Sequence, residues 1–211
     1  MSTFDYLVVA AGLVAQMLAW RSVSRGKREV LSVVPFVLAA MGVVAIVLYP
    51  DTTAKASAGE AALVGAASGV VFWGATRLFV IVADRWAFFR KAVAAAYGQA
   101  SDTPLARELL LSLLLAVPGE ELFWRGFTQQ SLALTGIGAA GAALVAWVLY
   151  VVANLPSRSL PIITAAVVAG FLWGVLGWWS AGVVAPLASH ILWTGLMLAL
   201  PPKAAGPVES A

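Results

Sequence analysis

The chain has 211 residues, 62% of them hydrophobic and only 11% charged, with a mean hydropathy of +0.93. Soluble domains carry roughly 25% charged residues, so there is too little polar surface here to wrap a soluble globule, and a soluble enzyme, a disordered tail and a nucleic-acid binder are excluded. The net charge is +3, but the basic residues sit in a few short segments between apolar runs, where membrane orientation alone accounts for them.

A helix crossing the hydrocarbon needs about 20 mostly apolar residues, and the chain offers seven such runs. The first is Phe4 to Trp20, which lacks a basic leading region and a convincing cleavage site and so reads as a retained anchor. The second is Val30 to Tyr49, ending at Pro50-Asp51, and the third is Ala61 to about Ala83, with Arg77 inside it and able to snorkel to the nearer interface. Asp84 to Gln99 mixes Trp86, Phe88, Phe89 and Tyr97 with Arg85, Arg90 and Lys91, the composition of a helix lying at the headgroups. The fourth span runs from Leu105 through Pro118 to the Glu120 region, the fifth covers Gly136 to Asn154, the sixth Pro161 to Trp178 and the seventh Val184 to Leu200. Pro201 to Ala211 reads as a frayed polar tail. The expected fold is an all-α polytopic transmembrane helical bundle of about seven spans plus one interfacial helix, forming one domain over residues 1–211.

With seven spans, Arg21, Arg25, Lys27, Arg28, Arg85, Arg90, Lys91, Arg107, Arg158 and Lys203 fall on one side, joined by a snorkelling Arg77, and leave Lys55 and Arg125 elsewhere. That side is expected to be cytoplasmic, with the amino terminus outside and the carboxyl terminus inside. The Ala, Val and Gly bias suits a bacterial inner membrane.

The stretch LLLSLLLAVPGEELFWRG, Leu109 to Gly126, puts two carboxylates and a guanidinium at the end of an apolar span. Ionisable groups cost about 2.5–3.5 kcal/mol at a helix centre on translocon scales, and where retained they face a bundle interior or water and mark function. Glu121 and Arg125 are four apart and share a helix face, so the pair serves structure as readily as catalysis. Glu120 lies about 100° around the helix, with no basic residue at helical spacing on its own face, and needs another partner. Pro118-Gly119 is expected to open the helix and admit water. Taken singly, His190 reads as a packing residue, Asn154 as an end cap and Thr194 as bonding its own i−4 carbonyl.

Most routes to intramembrane proteolysis lack their residues here. There is no cysteine and one histidine, so thiol nucleophiles and multi-histidine metal sites are absent. Ser189 adjoins His190, but neighbours on a helix point about 100° apart; there is no G-x-S-G, and no aspartate follows Asp102. Water activated by glutamate remains.

Glu120-Glu121-Leu122-Phe123-Trp124-Arg125-Gly126 resembles the E-E-x-x-x-R-G signature of the CAAX protease and bacteriocin-processing (CPBP, or Abi) family, glutamate-dependent intramembrane endopeptidases, and the likeness extends to Phe127 and Gln129. A second family motif, F-x-x-x-H, is matched by Tyr150-Val151-Val152-Ala153-Asn154, with Tyr for Phe and Asn for His. The third, H-x-x-x-N/D, is matched by His190-Ile191-Leu192-Trp193-Thr194, with Thr last. The resemblance covers about residues 105–200. It implies that Glu120 activates water and that Glu121 with Arg125 shapes the site. It puts Asn154 in place of a water-orienting histidine, and His190 with Thr194 where the family stabilises an oxyanion. No metal or organic cofactor is implied.

The resulting expectation is an endopeptidase that admits a membrane-anchored protein or peptide laterally from the lipid bilayer, with no nucleic-acid partner and no partner subunit assigned. On the topology above, Glu120 is expected near the outer leaflet, facing exported substrates. The rival is a catalytically inactive membrane scaffold or immunity-type binding protein that keeps the fold and the Glu121–Arg125 pair, favoured by Asn154 and Thr194. A proton-coupled transporter is a weaker third, since no inverted repeat is visible.

Overall fold

The computed structural model describes residues 1–24, 30–98 and 104–201, and every element among them is helical. The helices are α1 (Thr3–Ser24), α2 (Val30–Val47), α3 (Ala58–Ala83), α4 (Ala87–Gly98), a long rod α5 (105–133), α6 (Gly138–Asn154), α7 (Leu160–Ser180) and α8 (Val184–Ala199). Five are long and apolar enough to cross a membrane: α1, α2, α3, α6 and α7. The rod α5 and the 16-residue α8 pack between them. Arg25, Lys27, Arg28, Gln99, Lys203 and the tail beyond Pro201 lie outside the described residues.

Two boundaries move for local reasons. Helix α3 starts at Ala58 because Ser57 caps it, its hydroxyl accepting the Glu60 N–H at 3.2 Å, so the helix takes in three residues more than the apolar run suggests. The fourth span does not end near Glu120. Helical backbone continues to Ala133, and the chain reverses into α6 on Gly136 (φ 88°) and Gly138 (φ 77°), which supply left-handed conformations without a Cβ clash.

Neighbouring helices meet through small residues, which lets backbones approach where lipid gives apolar side chains no advantage in associating. The two most extensive pairs are α2 with α5 and α3 with α8. Gly65 and Gly69, one turn apart, face the Ala185 and Ser189 carbonyls so closely that a Cβ at either would collide, and the Ser68 hydroxyl donates to Ser189 Oγ at 3.1 Å. Gly119 of α5 sits in the same way on the Leu38 carbonyl of α2, opposite Gly42.

These contacts set direction. Gly65 with Ala185, Gly69 with Ser189 and Arg77 with the Leu200 carbonyl make α3 and α8 parallel. Gly42 with Gly119 and Tyr49 with Gly126 make α2 and α5 parallel. Gly12 against Phe123 and Gln16 against Glu120 make α1 antiparallel to α5. The segment between α2 and α3 meets the end of α7, where the Lys55 N–H donates to the Ser180 carbonyl at 2.9 Å. The rods therefore alternate up and down, and the described Arg21, Arg77, Arg85, Arg90, Lys91, Arg107 and Arg158 gather at one end, with Lys55 at the other. Helix α4 lies at the basic end, its Phe89 packed on Val80 and Ala83 while Trp86 and Phe88 are exposed.

Candidate active site

The site is built on α5, which stays continuous through Pro118-Gly119 and does not open as the sequence suggested. Pro118 lacks an N–H and its ring would crowd the i−4 carbonyl of a regular turn. A wide π-turn, Ser112–Ala116, directly precedes it and relieves that crowding, while Gly119 is explained by contact with α2. A second π-segment, Leu122–Thr128, follows the two glutamates. Such wide turns loosen the backbone ladder and recur at functional sites. Here the Arg125 carbonyl accepts from Gln130 Nε2 at 3.3 Å.

Glu120 and Glu121 diverge as adjacent helical residues must. Glu121 is fully buried. Its Oε1 accepts from Arg125 Nη1 at 3.1 Å and meets His190 Nδ1 at 2.8 Å. Arg125 also donates from Nη2 to the Gly170 carbonyl at 3.0 Å, and its guanidinium lies 4.3 Å from the Tyr150 ring centroid and 5.5 Å from that of Trp173. One buried cation is thus shared between a carboxylate, a carbonyl and two aromatic faces, the multiple satisfaction a desolvated ion pair requires. Where Glu121 Oε1 accepts from both Arg125 Nη1 and His190, Nδ1 is the donor nitrogen of the imidazole. The imidazole ring also stacks on Trp173 at 3.5 Å between centroids.

Glu120, 8% exposed, turns the other way. Its Oε1 accepts from Gln16 Nε2 at 3.1 Å and its Oε2 from the Tyr150 hydroxyl at 3.3 Å. Gln16 in turn accepts the Trp124 indole N–H on its Oε1 at 2.8 Å. The missing partner of Glu120 is therefore an amide and a phenol.

Glu120 faces a cavity of about 640 Å³ to whose wall all eight helices contribute. Tyr150, Asn154, Trp173, His190 and Thr194 line it beside Glu120, and the rest of the lining is mainly apolar, including Leu38, Phe72, Phe89 and Met197. On α5 the lining stops at Glu120, and on the other helices it comes from their basic-end halves. The cavity therefore runs from the basic end down to the glutamate. The outer-leaflet expectation rested on a fourth span ending near Glu120; helical backbone runs on to Ala133, so Glu120 lies within the rod and its cavity lies on the basic-end side, with no change in span count.

Four of the six candidate residues, Glu120, Asn154, His190 and Thr194, line this one cavity, and Glu121 with Arg125 lies behind it, tied to His190. Asn154 ends α6 and donates from Nδ2 to the Tyr150 carbonyl at 2.8 Å, a capping bond made from a cavity wall. Sequence reasoning missed Gln16 and Trp124 and gave Tyr150 no polar role. A signal for Gln16 was present: it is the one amide inside an otherwise apolar run, and such a group must find a partner. Among the described residues no three His, Cys, Asp or Glu are grouped to hold a metal ion.

A buried carboxylate pair, one member neutralised and the other facing an apolar cavity within a helical membrane bundle, defines an intramembrane site of polytopic membrane proteins. Residues 103–196, a little under half of the chain, match the family described as Rce1-like, type II CAAX prenyl endopeptidase, which bears out the CPBP resemblance over that segment. Protease activity is the property of this family. Neither curated proteins nor solved structures give a match.

Proposed function

We propose that the protein is an intramembrane endopeptidase in which Glu120 activates water to hydrolyse a membrane-anchored protein or peptide. The observation that carries this is the placement of Glu120: a carboxylate in a membrane bundle, held through both oxygens, with no cation bonded to it among the described residues, at the polar end of an apolar cavity. In that setting Glu120 takes a proton from water as the hydroxyl adds to the scissile carbonyl, and returns it to the leaving amine as the tetrahedral intermediate collapses. Developing negative charge on the carbonyl oxygen is met by the Thr194 hydroxyl on the cavity wall, and by His190 through Nε2 when the imidazole is doubly protonated, Nδ1 being taken up by Glu121, with Asn154 orienting the water. Glu121 holds the imidazole through Nδ1, and Arg125 pairs with the same carboxylate oxygen. The chemistry needs no cofactor.

The family description favours a prenylated carboxyl-terminal tail as substrate, and the apolar cavity lining is compatible with such a chain. The basic end, cytoplasmic by the positive-inside rule, makes this a cytoplasm-facing site with the amino terminus outside and the carboxyl terminus inside. A second reading, a binding protein without hydrolysis, is favoured by Asn154, whose amide nitrogen is committed to the Tyr150 carbonyl.

Mapping new protein termini in membranes of native cells carrying wild type, Glu120→Gln or Asn154→Ala, with each level checked by blot, separates the two. Termini that depend on Glu120 support the protease and name its substrate; identical termini with stable protein support the binding reading.

A further inference from the structure

The residues that hold Glu120 do not all come from the Rce1-like segment. Gln16 belongs to α1, far outside residues 103–196, yet it is fully buried and donates to Glu120 Oε1 at 3.1 Å. Among the residues that α1 buries, Val9, Gly12, Gln16, Ala19 and Trp20, it is the only one with a polar side chain other than an indole. One turn before it, Gly12 leaves room for the Phe123 ring, and this close approach brings the α1 side chain to α5.

A primary amide can present either its oxygen or its nitrogen, and an amide presenting oxygen would repel a carboxylate. Trp124 removes the choice. Its indole can only donate, and it donates to Gln16 Oε1 at 2.8 Å, so the NH₂ group must face Glu120. Trp124 is itself fully buried and packed edge-on against the Phe123 and Tyr150 rings. The order is one-directional: indole N–H to amide oxygen, amide N–H to carboxylate. With Tyr150 on the other oxygen, the carboxylate plane of Glu120 is held at both ends, leaving its remaining lone pairs for water.

We propose that Gln16, with its amide orientation locked by Trp124, is a positioning residue that sets the Glu120 carboxylate for catalysis, so that the amino-terminal helix is part of the catalytic machinery. This rests on the reading of Glu120 as the base. The test uses full-length protein in lipid vesicles with a prenylated peptide, comparing wild type, Gln16→Met, Trp124→Phe and the double variant, with Glu120→Gln as the null. The infrared carboxyl band of Glu120, isolated by subtracting the Glu120→Gln spectrum, is recorded alongside.

Gln16→Met is expected to lower kcat about 10- to 100-fold with KM within about twofold, the range one charge-assisted hydrogen bond supports. Trp124→Phe should lower kcat less, and should add nothing further in the Gln16→Met background, because indole acts only through the amide. The Glu120 band should shift in both single variants. Wild-type kcat and an unmoved band in Gln16→Met overturn the proposal, as does an additive double variant. If Gln16→Met does not fold, Trp124→Phe decides alone by the same two readouts. If wild type cleaves nothing while the band shifts, the positioning stands and the protease reading falls.

Discussion

At the scale of single residues, the two adjacent glutamates do different work because a helix turns them apart and their surroundings differ. Replacing Glu120 by Gln keeps shape and removes the base, and cleavage should fall by about 10²–10⁴-fold, the usual contribution of a general base, in the vesicle assay with protein level held constant. Tyr150→Phe removes one donor to Glu120, and kcat should drop on the order of tenfold with little change in KM. Arg125→Met is a different kind of change. It strips Glu121 of its cation while leaving the carboxylate buried, so the cost is in stability, about 3–5 kcal/mol for one partner of a buried pair. Thermal unfolding in detergent should show a clear loss for Arg125→Met and almost none for Glu120→Gln, whose amide oxygen can accept from Gln16 while its NH₂ donates to the Tyr150 oxygen.

At the scale of helices, position is carried by glycine. His190 reaches Glu121 because α8 lies directly on α3, and α8 can do so because Gly65 and Gly69 offer no side chain to the Ala185 and Ser189 carbonyls. Gly69→Val should push the helices apart, lowering thermal stability and activity together, whereas Gly74→Val, at a position with nothing nearby, should leave both unchanged. Gly119→Ala tests the α2–α5 contact: the added methyl meets backbone, which cannot rotate away, so a loss of about 1–3 kcal/mol is expected in the same unfolding measurement. The π-segments flanking Val117–Glu121 belong to this scale too, since they let a proline and two acids occupy one uninterrupted rod.

At the scale of the molecule, alternating rods put the cavity mouth and most of the positive charge at one end. The absence of cysteine from the chain makes orientation directly measurable. In single-cysteine variants, Lys55→Cys should react with an impermeant maleimide from outside the cell and Arg158→Cys only after the membrane is opened, both positions being exposed and at opposite ends. The reverse pattern would invert the orientation and turn the cavity outward.

Much was legible in the chain because a bilayer makes local demands: a span must be apolar over its length, and a charge inside it must have a reason, so the helical fold and the Glu120, Glu121 and Arg125 cluster follow from composition and spacing. Asn154, His190 and Thr194 could be marked by motif but not joined, since they stand on helices far apart in sequence. Three things were decided only by tertiary structure. Glu120's partners are Gln16 and Tyr150, because hydrogen bonds between helices depend on which faces meet. The site opens to the basic end, because the rod outlasts its apolar run and continues through the buried polar residues Gln129, Gln130 and Ser131 to Ala133. And Gly119 serves a helix contact and not a break, because small residues in a membrane helix look alike in sequence whether they loosen a backbone or let another one in.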